Sequence, residues 1–320
     1  MTFCIISTTN FQEIYCQMKI IITGATGLIG KSLCENLVNR GDEITVFTRN
    51  IINAKQSLTG IKNFVEWDYM KPAEWKNEIC GKNAVIHLAG TNLFARRWNK
   101  NFKDEILKSR EISTKNLVSA ICQCENKPAS LIVASGINYY GDCGENTINE
   151  SNESGNDFLS RVCKVWEDEA AKVESCGVRQ VSIRTGIVLS TEEGALKQML
   201  LPFKLFVGGP IGNGKQWFPW IHIEDLVNSY IYSLGNQKIK GPVNGVSPDL
   251  VRMSDFANTF GKILRRPSFL KVPLFVLKMA VGEFAEPITM SIKAIPEKLE
   301  QNNFTFKYSK LHSALKDLLK

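Results

Sequence analysis

The feature that most constrains this chain is the stretch TGATGLIG at residues 23–30, which separates an apolar run from a helical pattern. Its glycines Gly24, Gly27 and Gly30 have the spacing G-x-x-G-x-x-G. Gly24 permits a tight turn, Gly27 lets the backbone approach a pyrophosphate, and Gly30 lets a helix pack closely against a sheet. A helix that starts here directs free N–H groups and its positive dipole end at a phosphate. The turn therefore predicts a dinucleotide site, and the alternative is a glycine-rich turn that holds no ligand.

Apolar runs alternate with helical patterns from residue 19 to about residue 190. The runs KIIITGATG, EITVFTR, NAVIHLAG, ASLIVASG and RQVSIRTGIVLS lack polar alternation, which is typical of strands that are covered on both faces. We therefore predict an α/β fold, a Rossmann doubly wound parallel sheet with a smaller C-terminal substrate lobe. The expected segments are a disordered extension at 1–17, an NAD(P)-binding Rossmann domain at 18–190 to which some elements return from 205–250, and a substrate lobe at 191–320 that includes a small domain at about 268–318.

The charge and cysteine content exclude several classes of protein. The net charge of +7 comes from 39 basic and 32 acidic residues without a block of like charges, so we expect no nucleic-acid partner. Nine cysteines without a C-x-x-C pair, and three histidines, provide no zinc spacing, so we expect no metal. Reduced thiols and a cytoplasmic location are the simplest expectation. No apolar stretch is long enough to span a bilayer, so we also expect no membrane partner.

The end of the second apolar run indicates which dinucleotide binds. An acidic residue there would hydrogen-bond the ribose 2′-hydroxyl of NAD, whereas this chain has Thr48 and Arg49. A guanidinium offers a charge-assisted fork to a 2′-phosphate. We therefore expect NADP(H) to be preferred over NAD(H), and the alternative for Arg49 is a solvated surface charge.

Further motifs extend this pattern over most of the chain: LAG at 88–90, ARRWNKNFKDEILKSR at 95–110, SGINYYG at 135–141, RTGIVL at 184–189 and LPFKLFVGGPIGNGKQWFPWIHIEDL at 201–226. With them the chain resembles the extended short-chain dehydrogenase/reductase superfamily from about residue 18 to residue 318. Within it, the chain is similar to an atypical epimerase-family branch of NADP-dependent oxidoreductases and nucleotide-sugar-epimerase-like proteins with a small C-terminal helical domain.

The resemblance implies cofactor contacts at the glycine turn, the second strand, the LAG strand, the helix after it and the RTGIVL strand. These contacts are Gly24, Thr26, Gly27, Leu28, Ile29, Gly30, Thr48, Arg49, Leu88, Ala89, Gly90, Glu105, Arg110 and Val188. Leu88 and Ala89 also fit physically, because doubly wound folds bind ligands at the carboxyl ends of their strands. Arg110 departs from the superfamily, where an asparagine is common, and its alternative interpretation is a surface charge.

The catalytic residues of the superfamily are only partly present. A strand-end Ser or Thr orients the substrate, and a Tyr with a Lys four residues later transfers the proton, because such residues share one helix face. Ser135 fits the first role. When FLSRVCKVWE at 158–167 is aligned on Glu167, Leu159 takes the tyrosine position and Cys163 the lysine position. We expect a scaffold helix without a proton shuttle, although Cys163 could act as a thiolate rather than as inert packing.

Other groups are candidates for the chemistry that this helix lacks. Tyr139 and Tyr140 follow Ser135 in a loop and are the candidate catalytic donors, or they are structural. The candidate substrate residues are Arg97, Trp98, Trp217 and His222. For His222, a pH-sensitive acid or base and a buried packing residue remain equally open.

Two functions follow from these observations. The first is an NADP-dependent oxidoreductase or epimerase-like enzyme that acts on a sugar nucleotide or another carbonyl compound without the usual dyad. The second is an NADP(H)-binding regulatory or redox-sensing protein with reduced catalysis. The sequence leaves the substrate and the oligomeric state open.

Overall fold

A computed structural model describes residues 17–320 of the chain. The extension that the sequence predicts at 1–17 lies, except for its last residue, outside the described residues. The described strands are β1 (Lys19–Thr23), β2 (Glu43–Thr48), β3 (Asn63–Glu66), β4 (Ala84–His87), β5 (Ser130–Gly136), β6 (Thr147–Ile148), β7 (Arg179–Thr185), β8 (Ile187–Leu189), β9 (Trp220–His222), β10 (Gly241–Gly245) and β11 (Lys293–Ala294). The α-helices are α1 (Leu28–Asn39), α2 (Ile51–Ser57), α3 (Lys100–Gln123), α4 (Phe158–Ala171), α5 (Ala195–Lys204), α6 (Ile223–Gly235), α7 (Met253–Leu264), α8 (Leu274–Val281), α9 (Ala285–Thr289), α10 (Glu297–Gln301) and α11 (Leu311–Leu318).

Seven of these strands form one parallel sheet in the order β10-β7-β5-β4-β1-β2-β3. The connections run outward in opposite directions from β1 and β4, so the sheet changes winding direction between these two strands. Doubly wound sheets bind ligands at this point, outside the carboxyl ends of the strands. The predicted α/β doubly wound fold is confirmed.

Burial explains why the strand sequences lack alternation. Ile20, Ile21 and Ile22 of β1 are all fully buried, but Ile20 and Ile22 pack with α1 and α6 whereas Ile21 packs on the opposite face. Helices α3 and α4 cover that opposite face. Side chains on both faces of the sheet are therefore buried, which explains why the strands are unbroken apolar runs.

The RTGIVL segment divides into two strands at Gly186. A side chain at this position would place its Cβ 2.5 Å from the carbonyl oxygen of Pro219, so only glycine fits. The chain leaves the main sheet here, and β8 pairs with β9 instead. Beyond this point β10 returns to the edge of the main sheet beside β7. The separate cluster around Trp220, Phe256 and Phe260 forms the core of the smaller lobe.

Four cysteines are joined in pairs near the end of α3, at the sheet edge opposite the strands' carboxyl ends. Cys80 is bonded to Cys124, and Cys122 is bonded to Cys176. The expectation of reduced cysteines is wrong for these four, because spacing in the sequence cannot reveal which loops a fold brings together. Among the described residues, Cys34, Cys143 and Cys163 are free.

The described residues contain no helix that is both long enough and apolar enough to cross a bilayer.

Both disulfides close long loops, with separations of 44 and 54 residues, and therefore restrict the unfolded chain. We predict that the paired change Cys80→Ser with Cys176→Ser lowers the free energy of unfolding by about 2–4 kcal/mol for each lost bond. Urea titration with and without a reductant measures this difference, and Cys143→Ser is the matched control because that thiol is unpaired. Equal unfolding curves in both buffers would contradict the pairing.

Candidate functional site

The turn between β1 and α1 is built on two glycines that the fold itself requires. Gly24 has a φ of +68°, and a Cβ on it would lie 2.8 Å from the backbone nitrogen of Ala89. A Cβ on Gly30 would lie 2.4 Å from the carbonyl oxygen of Gly24. These contacts bring the start of α1 against the ends of β1 and β4 without intervening side chains.

Gly27 differs from the other two glycines because the protein does not itself require its small size. Its φ is −81°, and a Cβ would contact only the carbonyl oxygen of Gly24, at an ordinary 3.5 Å. Gly27 is the N-cap of α1, and neither a side-chain cap nor an acidic residue in the first turn neutralises this helix end. The space over Gly27 and the uncapped N–H groups of the helix start are suited to an anionic ligand.

A cavity of about 270 Å³ lies over this helix start, at the carboxyl ends of β1, β2 and β4. Its lining contains many of the predicted cofactor contacts: Gly24, Thr26, Gly27, Thr48, Arg49, Leu88, Ala89 and Gly90. Ser109, Ser113, Trp67 and Tyr69 also line it and were not identified from the sequence. Leu28, Ile29 and Gly30 form the first turn of α1, and Val188 packs on the same core cluster as Ile29. The fold thus gathers these residues at one edge of the sheet.

Arg49 lines this cavity one residue after the end of β2. It is exposed and makes no ion pair with the residues that the structure describes. Thr48 Oγ1 accepts a hydrogen bond from the backbone N–H of Asn50 at 3.2 Å, which shapes the turn after β2. The Asn50 side chain caps α2 by accepting from the N–H of Asn53. The strand end therefore presents a hydroxyl and an unpaired guanidinium to the cavity, without a carboxylate among its lining residues.

A buried histidine fixes the floor of the cavity. His87 Nδ1 lies 2.7 Å from Thr23 Oγ1, which also accepts the N–H of Ala89, and Nε2 lies 3.2 Å from the hydroxyls of Ser113 and Thr114. Burial, with a smaller contribution from Arg110, lowers the pKa of His87 to about 3, so the ring is neutral. His87 therefore connects the end of β4 to β1 and α3. In the sequence, the one sign of this role is its position directly before the LAG motif.

Arg110 lies behind the cavity wall. Its guanidinium donates to the carbonyl oxygens of Thr91 and Ile106 at 3.2 Å and stacks on Trp166 at 4.8 Å. A Cβ on Gly90, which lines the cavity, would come within 2.9 Å of its central carbon. Burial lowers the pKa of Arg110 to about 10, which leaves it charged at neutral pH. The cation contributes to the field at the cavity without lining it.

Glu105 lies on the same helix at a neighbouring cavity of about 450 Å³ that shares Tyr69 and Ser109 with the first. It forms an ion pair with Arg96 and accepts from the hydroxyl of Thr91 at 3.4 Å. The second cavity therefore adjoins the first along α3.

Ser135 belongs to a buried polar network centred on Arg184. The Ser135 hydroxyl donates to Glu167 Oε1 at 2.6 Å, and Glu167 forms a two-point ion pair with Arg184 at 2.9 and 2.8 Å. Arg184 also donates to the hydroxyl of Tyr140, which donates to the side-chain oxygen of Asn244 at 2.8 Å. Burial raises the pKa of Tyr140. Arg184 belongs to the RTGIVL motif, but nothing in the sequence pattern around it indicated this central role.

Tyr139 takes part in this network through its ring alone. The guanidinium carbon of Arg184 lies 3.4 Å from the ring centroid. Among the described residues, no hydrogen-bond partner is found for the Tyr139 hydroxyl. The two adjacent tyrosines therefore differ: the Tyr140 hydroxyl both donates and accepts a hydrogen bond, and the Tyr139 hydroxyl has no partner among the described residues.

The helix α4 holds no ionisable pair at the positions of the usual dyad. Leu159 is buried in an apolar cluster with Trp98 and Phe102. The sulfur of Cys163 would be 3.3 Å from a Cβ on Gly136, and burial raises the pKa of this thiol to about 11. The thiol is therefore protonated at neutral pH and packs against the end of β5.

The four candidate substrate residues lie outside the lining of both cavities, and only Arg97 and Trp98, which are adjacent in the chain, are neighbours. Trp98 is buried against Phe158 and Phe284, and Arg97 donates to the carbonyl oxygen of Met279. Trp217 lies under the guanidinium of Arg252 at 4.3 Å and donates to Glu145.

His222 is the N-cap of α6, where Nδ1 accepts the N–H of Glu224 at 3.1 Å. Its ring packs on Tyr308 with centroids 3.9 Å apart, and burial lowers its pKa to about 4. This arrangement gives His222 a structural task at the start of the helix.

The described residues contain no group of three or more His, Cys, Asp or Glu side chains arranged to hold a metal ion.

Comparisons with known proteins agree with this architecture. Residues 20–244 match the NAD dependent epimerase/dehydratase family, and residues 272–318 match a domain of unknown function, DUF1731. The Epimerase family protein SDR39U1 homolog, chloroplastic, of Arabidopsis thaliana is 38% identical over 95% of this chain and 87% of its own length.

Two solved structures extend the comparison. The crystal structure of human epimerase family protein SDR39U1 (isoform 2) with NADPH is 32% identical, covers 94% of this chain and 99% of its own, and superposes with a TM-score of 0.84. The nucleoside-diphosphate sugar epimerase of Corynebacterium glutamicum is 30% identical with a TM-score of 0.75, and covers 95% of this chain but 58% of its own.

The different environments of Gly24 and Gly27 give a direct test of the site. Gly24→Ala forces a side chain into a left-handed conformation and against the backbone, so we predict that it lowers the melting temperature. Gly27→Ala has room in the protein, so we predict unchanged melting but at least roughly tenfold weaker dinucleotide binding by calorimetry. Melting of the two variants at the same temperature, or full binding by Gly27→Ala, would contradict this assignment.

Proposed function

The chain belongs to the NAD-dependent epimerase/dehydratase family, and we propose that it is an NADP(H)-dependent oxidoreductase of this family. The single observation that carries the proposal is the uncapped start of α1, which opens into a cavity that the unpaired Arg49 also lines. The human relative with 32% identity was crystallised with NADPH, which supports the same choice of cofactor.

The residues of the cavity fit such a cofactor at both ends. The backbone N–H groups of Leu28 and Ile29 would hold the pyrophosphate, because the helix dipole favours negative charge there. Thr48 and Arg49 would hold the 2′-phosphate through a hydroxyl and a charge-assisted fork. When bound, the nicotinamide supplies or accepts a hydride. Substrate orientation and proton transfer would then depend on side chains near the ends of β4 and β5.

We assign the proton transfer to Tyr139. Its ring packs under Arg184, and its hydroxyl, which has no partner among the described residues, would donate to a substrate oxygen. Tyr140 is a weaker candidate because its hydroxyl is already used as both donor and acceptor. Ser135 gives its only proton to Glu167, so its oxygen can accept a hydrogen bond from a substrate hydroxyl and orient it.

We propose that the substrate is either a sugar nucleotide or another carbonyl compound or its alcohol. The Corynebacterium glutamicum relative is named a nucleoside-diphosphate sugar epimerase, which supports testing that class first. Both substrate classes would require the transfer of a hydride and a proton at one carbon–oxygen bond.

A second function is favoured by one specific observation. Leu159 and the protonated Cys163 occupy the positions of the usual dyad, and neither can replace it. An NADP(H)-binding regulatory or redox-sensing protein would need the cavity but not the proton donor. Tight NADPH binding without turnover over a broad panel would favour this function over the enzyme.

The cofactor preference rests on Arg49. We predict that Arg49→Gln weakens NADPH binding roughly ten- to hundredfold, because one charge-assisted contact is lost. NADH binding should change little, since NADH has no 2′-phosphate. Calorimetric titration with both cofactors measures the difference, and Arg161→Gln is the matched control because Arg161 is an exposed arginine on α4. Equal losses for NADPH and NADH would refute the assignment.

The role of Tyr139 is tested with NADPH and a panel of carbonyl compounds and sugar nucleotides, followed by the loss of nicotinamide absorbance. For any compound that turns over, we predict that Tyr139→Phe lowers kcat roughly a hundredfold or more without changing stability. Tyr140→Phe should lower the free energy of unfolding by about 1–3 kcal/mol, because Asn244 and Arg184 lose a buried partner. Full activity of Tyr139→Phe would exclude this phenol as the donor.

A further inference from the structure

The smaller lobe exposes an unusual number of large apolar side chains on one surface. Helix α8 contains no buried residue, and Phe275 and Met279 on it are 66% and 73% exposed. Phe269 before it is 76% exposed, and Leu201, Leu205, Phe206 and Val207 at the end of α5 are each more than half exposed. Single exposed apolar residues are normal, but a cluster of this kind marks an interaction site.

Backbone contacts join the two segments into one surface, which we call the α5/α8 face (residues 201–212 and 265–279). Ile211 forms a bridge with Val272, and the N–H of Gly212 donates to the Val272 carbonyl oxygen at 2.9 Å. The Arg266 guanidinium covers the Phe206 ring at 4.5 Å. The exposed residues of both segments are therefore neighbours in space.

The charges of this face are all of one sign. The sequence contains neither Asp nor Glu from residue 194 to 223 or from residue 256 to 282. Within the face lie five exposed cations, none of which forms an ion pair with a described residue: Lys204, Arg265, Arg266, Lys271 and Lys278. Apolar side chains bordered by cations without carboxylates are typical of proteins that bind the interface of an anionic bilayer.

Other occupants fit the α5/α8 face less well. A two-fold contact between copies would place these five cations opposite the same five cations without an intervening carboxylate, which is unfavourable. A small molecule would need a concave site, and neither cavity described above is lined by any residue of this face.

We propose that the α5/α8 face docks on the surface of a membrane that contains anionic phospholipids. Phe269, Phe275 and Met279 enter the boundary between headgroups and acyl chains, and the surrounding cations contact the phosphate groups. The sequence-based expectation of no membrane partner concerned a spanning segment, which this mode of binding does not need. The backbone carbonyl oxygen of Met279 also accepts a hydrogen bond from Arg97 in the loop after β4. A docked bilayer would therefore adjoin the carboxyl edge of the sheet.

The test is co-sedimentation of the full chain with vesicles of phosphatidylcholine alone and of phosphatidylcholine mixed with phosphatidylglycerol. We expect binding to the mixed vesicles that weakens as salt is added, and little binding to phosphatidylcholine. The paired changes Phe275→Ser with Met279→Ser, and Lys271→Glu with Lys278→Glu, should each weaken binding roughly tenfold or more.

Matched controls separate the face from the general surface. Ile52 is 72% exposed on α2, and Lys62 is exposed before β3, so Ile52→Ser and Lys62→Glu should bind vesicles as the unchanged protein does. All variants alter exposed side chains, and thermal melting verifies that they fold. NADPH titration of the same samples distinguishes a failure of this inference from a failure of the proposed function.

Three results would overturn the proposal. They are no sedimentation with anionic vesicles at low salt, equal binding by the face variants and the controls, and self-association without lipid that Phe275→Ser with Met279→Ser abolishes. The last result would assign the face to a second copy of the chain.

Discussion

The close backbone contact inside the β1–α1 turn is the constraint on which the candidate site depends. Gly24 and Gly30 allow the start of α1 to lie against the ends of β1 and β4, where any side chain would collide with backbone atoms. This contact directs the uncapped helix start into the cavity, and the neutral His87 holds the neighbouring strand end in register from below. The anion site is therefore a consequence of how the first strand and helix pack, and not of a charged side chain.

The second organising element is the network around Arg184. It connects the ends of β5, β7 and β10 and helix α4 through Glu167, Tyr140 and Ser135. A buried ion pair of this kind strongly disfavours loss of one partner, because the other charge would remain unpaired. The network leaves the Tyr139 hydroxyl and the Ser135 oxygen as the groups available for chemistry, so an enzyme built here depends on a loop tyrosine rather than on a helix dyad.

Local patterns predicted much of this fold. The apolar runs and the glycine turn were sufficient for the doubly wound sheet, and these predictions are confirmed. The sequence did not indicate that the RTGIVL run divides at Gly186, because that break depends on Pro219 from a distant segment. The disulfides of Cys80 and Cys122 were missed for the same reason. The assigned roles of the site residues remain predictions, and Ser135 illustrates why: a motif identifies a hydroxyl but not the carboxylate to which it donates.

The central claim is that the amides at the start of α1 hold a pyrophosphate while Arg49 holds a 2′-phosphate. A crystal structure of the protein grown with NADPH tests it most directly. The account predicts phosphate oxygens within hydrogen-bond distance of the N–H groups of residues 28 and 29, with the 2′-phosphate beside the Arg49 guanidinium. NADPH bound elsewhere, or a 2′-phosphate that points into solvent away from Arg49, would contradict it.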